Sequence, residues 1–131
     1  MALTLVAKEY LLTVNALAEE GTVVIAARLA ERLKVTPATV SETLDRLERD
    51  GLVEVVPRRG ITLTPVGRAA VEEAIRRQRL SERWLVEVLG LDWAEAHEAA
   101  RAMETALSPR VAERLDAVLG HPTTCPHGNP I

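Results

Sequence analysis

The sequence has 131 residues, 47% of them apolar and 27% charged, with a formal net charge of −3. A chain of this size buries roughly two-thirds of its unfolded surface without a disulfide scaffold, and this apolar content excludes global disorder. The acidic balance argues against a nonspecific nucleic-acid coat, although phosphate binding is decided by local positive potential rather than by net charge.

No run approaches the ~20 apolar residues that span a bilayer. The N-terminus lacks the basic start and cleavage site of a signal peptide. One cysteine, Cys125, cannot form an intrachain disulfide. A reducing cytoplasmic location with no membrane partner is therefore expected.

The apolar spacing of Leu5, Leu11, Leu12 and Leu17 predicts an amphipathic helix over 5–20, stopped by Gly21. A second helix is predicted over about 24–33, with Ile25, Leu29 and Leu33 four apart and Arg28, Glu31 and Arg32 facing water. Lys34 and Val35 form a turn. Thr36-Pro37 then opens a third helix with a hydroxyl N-cap and proline at the first helical position. Val40, Leu44 and Leu47 face inward on it, which leaves Ala38, Thr39, Ser41, Glu42, Asp45, Arg46 and Arg49 on the exposed sides.

After Asp50-Gly51 the pattern changes to short β-branched runs, 52–56 and 61–63, around Pro57-Arg58-Arg59-Gly60, which reads as a hairpin. Thr64-Pro65 starts a long helix to about Leu89, closed by Gly90. Its apolar face includes Val71, Ile75, Leu80, Trp84, Leu85 and Val88. Asp92 with Glu95 caps a helix over roughly 93–107, and Ser108-Pro109 caps another ending before Gly120. The tail from His121 to Ile131 is too rich in proline and small polar residues for regular structure.

The predicted fold class is mainly α. Residues 1–64 form an N-terminal winged helix-turn-helix, and 65–131 form an all-helical unit. In a winged module the second helix of the motif enters the major groove. Thr36, Ala38, Thr39 and Ser41 are small enough to approach phosphates and base edges closely. Arg46 and Arg49 lie one and two turns further along. Arg28 on the preceding helix and Arg58 and Arg59 at the wing tip add positive charge over the adjacent backbone. Glu42 opposes phosphate binding, but it can accept a hydrogen bond from a cytosine amino group. The alternative is a packed helical hairpin with a β-ribbon that docks a protein. The apolar face of the long helix exceeds what so small a chain covers, which points to a homodimer on a two-fold operator.

Several stretches carry a resemblance over essentially the whole chain. They are Ala30-Glu31-Arg32-Leu33, Thr39-Val40-Ser41, Leu47-Glu48-Arg49-Asp50-Gly51-Leu52, Leu63-Thr64, Arg79-Leu80-Ser81-Glu82-Arg83, Gly90-Leu91-Asp92 and Cys125-Pro126-His127-Gly128-Asn129-Pro130-Ile131. In this order and spacing the sequence resembles the diphtheria-toxin-repressor family of iron- and manganese-dependent transcriptional regulators. The resemblance implies a duplex-DNA-binding homodimer that controls metal homeostasis genes through Mn2+ or Fe2+, with Zn2+ as an in vitro substitute. Many members carry a third, small β domain, and these residues end where its linker would begin.

Two groups of candidate metal ligands follow. Glu82 on the long helix, with Cys125 and His127 in the tail, combines a carboxylate, a thiolate and an imidazole, a borderline set suited to a transition metal. The alternative is a surface loop with a free cysteine. The tail has no apolar anchor except Ile131, so a metal is expected to supply what holds it against the long helix. The resemblance favours the metal site and adds His97 and Gln78, the latter standing where relatives have histidine. By itself His97 also reads as an ordinary helix histidine.

The second group is implied by the resemblance alone: Glu9, Arg101, Glu104 and Thr105. Arginine cannot ligate a cation, so this group is either a second metal site that draws on Glu9 and Glu104 or one replaced by a salt bridge of Arg101 with Glu9 or Glu104. The alternative reading of the whole chain is a metal-independent winged-helix regulator. An enzyme is not expected. There is no placeable Ser-His-Asp set or glycine-rich phosphate loop, and Cys125-Pro126-His127 is too tethered for a nucleophile and base.

Overall fold

The computed structural model describes residues 3–128 and 130–131, so Asn129 of the tail motif lies outside the described residues. The elements in order are α1 (Leu5–Glu19), α2 (Ala26–Leu33), α3 (Pro37–Arg49), β1 (Val53–Val56), β2 (Gly60–Leu63), α4 (Pro65–Glu87), α5 (Trp93–Glu104) and α6 (Pro109–Val118). Among the described residues no helix is long and apolar enough to cross a membrane. The chain divides into two compact units, one running through Val71 and the other from Glu72 to Ile131. The division falls about two turns into α4.

In the first unit Thr4 caps α1 by accepting from the Ala7 amide at 3.1 Å. Tyr10, Leu11, Val14 and Leu17 are buried along one face of α1, and Leu29, Val40, Leu44 and Leu47 complete the core from α2 and α3. Lys34 ends α2 in the left-handed region at φ 57°. Thr36 caps α3, accepting from the Thr39 amide, with Pro37 in the first turn. β1 and β2 pair antiparallel, Val53 opposite Leu63 and Val56 opposite Gly60.

The residues before α2 depart from the helical period expected of them. Val23 and Ile25 are exposed while Val24 is 3% exposed, an alternation of period two. Val24 makes a parallel bridge to Gly60, and its carbonyl accepts from the Ile61 amide at 2.9 Å. Ile25 therefore sits in extended backbone outside the helix, with its side chain turned to solvent. Gly60 is required at this crossing: at φ +75° a Cβ would stand 2.3 Å from the Val24 carbonyl oxygen.

α4 is fastened where it starts. Thr64 Oγ1 donates to the Gly51 carbonyl at 2.6 Å and accepts from the Gly67 amide at 3.0 Å. Gly67 lies so close to the start of β1 that a Cβ would fall 2.0 Å from the Leu52 carbonyl oxygen.

In the second unit Leu85, Ala96 and Ala100 are buried together, with Trp84, Val86, Leu91, Ala99 and Met103 around them. Ala96 and Ala100, one turn apart on α5, present no bulk and let that helix lie close to Leu85. α4 ends at Glu87 rather than Leu89, because Gly90 at φ +71° turns the chain back and the Leu91 amide donates to the Leu85 carbonyl. Val88 consequently lies in the turn and is exposed. α5 likewise stops at Glu104, short of 107. The tail has more order than its composition suggests, with an antiparallel bridge between Thr124 and Pro130.

Candidate metal centre and nucleic-acid interface

The second unit brings together residues far apart in sequence. Glu82 on α4 is 3% exposed and Cys125 in the tail is 2% exposed. With half-buried His127, their ligand atoms all lie within 4.8 Å of one another. Nδ1 of His127 stands 3.2 Å from Glu82 Oε2 and 3.9 Å from the Cys125 sulfur. His97 reaches in from α5, its Nδ1 3.0 Å from Glu82 Oε1. Gln78, one turn before Glu82, donates to that same oxygen at 3.3 Å. Trp93 meets the His127 ring edge-on at 5.3 Å.

A buried carboxylate is costly unless it is paired, and this one has two imidazoles and an amide around it. Gln78 orients the carboxylate in this arrangement. A carboxylate, a thiolate and two imidazoles fit a borderline transition metal and suit magnesium or calcium poorly. Glu82, His97 and His127 line a cavity of about 670 Å³ together with Ile75, Gln78, Arg79, Trp93 and Ala94.

Hydrogen bonds from α4 also reach the tail directly, contacts that its composition did not lead one to expect. Arg83 donates to the backbone carbonyl and the hydroxyl of Thr124 at 2.6 and 3.2 Å, and Arg79 donates to the carbonyl of Pro130. Both arginines end the 79–83 stretch that carries the resemblance, but no role was expected of either.

The second group of candidates is spread over both units. Glu9 is exposed on α1, and Glu104 is buried at the end of α5. Arg101 is exposed, and among the described residues of its own unit it enters no ion pair. Thr105 donates to the Ala102 carbonyl at 2.7 Å, finishing the helix. His121 is within hydrogen-bonding distance of Asp116, 2.7 Å, in the turn after α6.

In the first unit Ala38, Thr39, Ser41, Glu42, Arg46 and Arg49 are exposed on α3, and Arg28 is exposed on α2. The Thr36 and Thr39 hydroxyls lie 2.9 Å apart at the N-terminus of α3, where the helix dipole favours an anion. At the hairpin tip the Arg59 amide donates to the Val56 carbonyl at 3.1 Å. Pro57 is second in this turn and Arg58, at φ 71°, is third, the positions a type II turn prescribes for proline and for positive φ. Arg32 is paired with Glu20 at 2.9 Å. Among the described residues Arg28, Arg46, Arg58 and Arg59 have no such partner. The cations on the α3 and wing surface are thus left available.

A winged helix-turn-helix joined to a helical unit with a transition-metal donor set defines a class of metal-binding winged-helix proteins. Two family models cover the chain: iron dependent repressor, N-terminal DNA binding domain, over residues 2–61, and iron dependent repressor, metal binding and dimerisation domain, over 64–131. The chain belongs to the iron dependent repressor family. It is 48% identical over 122 residues to the iron-dependent repressor IdeR of Mycobacterium leprae, a match covering 93% of this chain and 53% of that protein. It spans about half the length of the curated relatives it matches. Among solved structures, a manganese-dependent transcriptional repressor in complex with manganese superimposes with a TM-score of 0.82 at 41% identity, covering 95% of this chain and 57% of that one. A hypothetical protein from Sulfolobus solfataricus superimposes with a TM-score of 0.85 at 30% identity, over 98% of both chains.

Proposed function

We propose that this chain is a cytoplasmic, non-enzymatic, metal-dependent transcriptional repressor that binds a palindromic operator as a homodimer and controls metal homeostasis genes. Residues 1–64 read DNA and 65–131 dimerise and bind metal. Mn2+ or Fe2+ is the ion in the cell, and Zn2+ replaces it in vitro. The observation that carries this reading is the convergence of Glu82, Cys125 and His127, three ligand types drawn from α4 and the tail.

Glu82, Cys125 and His127 hold the ion, His97 adds a second imidazole, and Gln78 keeps the carboxylate turned toward it. The bound ion supplies a fixed positive charge that ties α4 to the tail. On DNA, Thr36, Ala38, Thr39 and Ser41 approach the major groove, Glu42 discriminates among bases, and Arg28, Arg46, Arg49, Arg58 and Arg59 contact phosphates.

The relatives' names support the reading: iron-dependent repressor for the curated protein and manganese-dependent transcriptional repressor for the solved one. Exposed Val88, Leu89, Val111 and Val118 leave apolar surface on the second unit for a second copy. The test is selection of duplexes with and without added Mn2+, with light scattering of the complex. Recovery of a two-fold sequence by a dimer, dependent on metal, is expected. Equal recovery in chelator would establish the metal-independent alternative instead.

A further inference from the structure

The proposed metal centre takes two donors from a loop at the far end of the chain, and the structure shows what carries that loop to α4. Thr124 and Pro130 form the bridge that closes the loop, and each receives a guanidinium from α4. Arg83 donates to the Thr124 carbonyl through Nε at 2.6 Å and to the Thr124 hydroxyl at 3.2 Å. Arg79 donates to the Pro130 carbonyl. Between the two legs, Cys125-Pro126-His127-Gly128 makes a turn closed by the Gly128 amide on the Cys125 carbonyl at 2.9 Å. Arg79 and Arg83 are four residues apart and so share a face of α4, with Glu82 directed at the tip of the loop they grip. Glu87 accepts from Arg83 at 2.5 Å, which fixes that guanidinium and offsets its charge.

We propose that Arg79 and Arg83 are positioning residues for the metal centre: they dock the tail loop on α4 independently of any ion, so that the donor set is assembled in advance. This rests on the metal reading given above. The physical consequence concerns entropy. A loop ordered only by the ion would subtract its ordering entropy from metal affinity, whereas a loop docked by the fold is ordered before the ion arrives. Electrostatics alone predicts the opposite sign. Two cations beside a cation site repel the ion, and removing them tightens binding if they are bystanders. The direction of the change separates the two roles.

The experiment compares the parent chain, the double variant Arg79→Leu/Arg83→Leu, and Arg83→Lys, with circular dichroism to verify equal helix content. Two measurements are made. The first is the rate at which Cys125, the single cysteine, reacts with a small aromatic disulfide in protein stripped of metal. The second is a Co2+ titration followed by the thiolate-to-cobalt charge-transfer band, a signature of the Cys125 bond. The parent thiol is expected to react slowly and the double variant at least tenfold faster. The double variant should need at least tenfold more Co2+ to reach half-saturation while keeping the shape of the band. Arg83→Lys keeps the charge without the forked donor and should fall between. A parent with no cobalt band overturns the metal reading itself. A parent with the band, beside a double variant of equal or tighter Co2+ affinity and equal thiol reactivity, overturns the docking role alone.

Discussion

Nδ1 of His127 lies 3.2 Å from a carboxylate oxygen of Glu82, a residue 45 positions earlier in the chain. An approach between such distant residues needs a reason in the fold, and the Arg79 and Arg83 hydrogen bonds to the tail provide it. Removing the third donor tests what the arrangement is for. With Mn2+ or Fe2+ at about a hundred times the dissociation constant, the parent should gain about 2.7 kcal/mol of stability, seen as a rise in melting temperature. Cys125→Ala should lose most of that gain and leave the melting temperature in chelator nearly unchanged. The gain should also shrink as pH falls, because thiolate and imidazole ligate only when deprotonated. An undiminished gain in Cys125→Ala would remove the sulfur from the site.

At the wing, Arg58 and Arg59 have no ion-pair partner among the described residues. Replacing both with alanine should weaken operator and unrelated duplex alike. Titration of binding against salt should show the slope flattened by about one unit for each phosphate that the variant no longer neutralises. An unchanged slope would take the wing off the DNA.

Gly67 tests the junction of β1 with α4. An added methyl would meet the Leu52 carbonyl at 2.0 Å, a rigid backbone atom. Gly67→Ala should therefore lower stability by about 1–3 kcal/mol, the usual cost of overpacking, measured by denaturant unfolding. Gly21 lies at φ +80° with open space where a Cβ would stand. Gly21→Ala is thus the control for backbone strain without a clash.

The start of α5 carries a pH dependence of known sign. Asp92 accepts from the Glu95 amide at 2.9 Å, and this hydrogen bond holds its carboxyl below the ordinary value of 3.8. Its contribution is complete above that value and is lost as pH falls through the lowered one. Glu95 is pushed up by its hydrogen bond to the Asp92 side chain and by that side chain's charge. Its contribution is present below its ordinary value and is lost as pH rises through the raised one. Asp92→Asn keeps the capping oxygen. The variant should match the parent's helicity at neutral pH and show a flatter fall in melting temperature across the carboxylate range. Identical acid profiles would assign the dependence to other groups.

Much of this is legible in the residues. Thr36, Asp92 and Ser108 each cap the helix expected of them, accepting from the amide three residues on, because capping is a local interaction whose partners have fixed spacing. The four-residue repeat of Val40 and Leu44, with Leu47 beyond them, marks the buried face of α3 correctly. Val24 and Ile25 read as helix in the sequence and are extended in the structure, because so short a stretch cannot separate period two from period four. The donor set of the proposed metal centre follows from residue chemistry and resemblance together, and the structure brings Glu82, Cys125 and His127 close to one another. Its support by Arg79 and Arg83 is not legible at all. Their acceptors are backbone carbonyls, which every residue has, so sequence carries no mark of which one a guanidinium will find.

The Val24–Gly60 crossing limits how the wing can move. An isolated two-stranded ribbon is marginal in water, but here β2 is held on one side by β1 and touched on the other by Val24, with the Ile61 amide committed to that crossing. The base of the hairpin is anchored, and the freedom left to it lies in Pro57, Arg58 and Arg59, outside the paired register that ends at Val56 and Gly60. In the proposed DNA complex the two guanidiniums would act as a short tether on a fixed post, able to follow a phosphate through small changes of groove width while the post keeps its place in the unit.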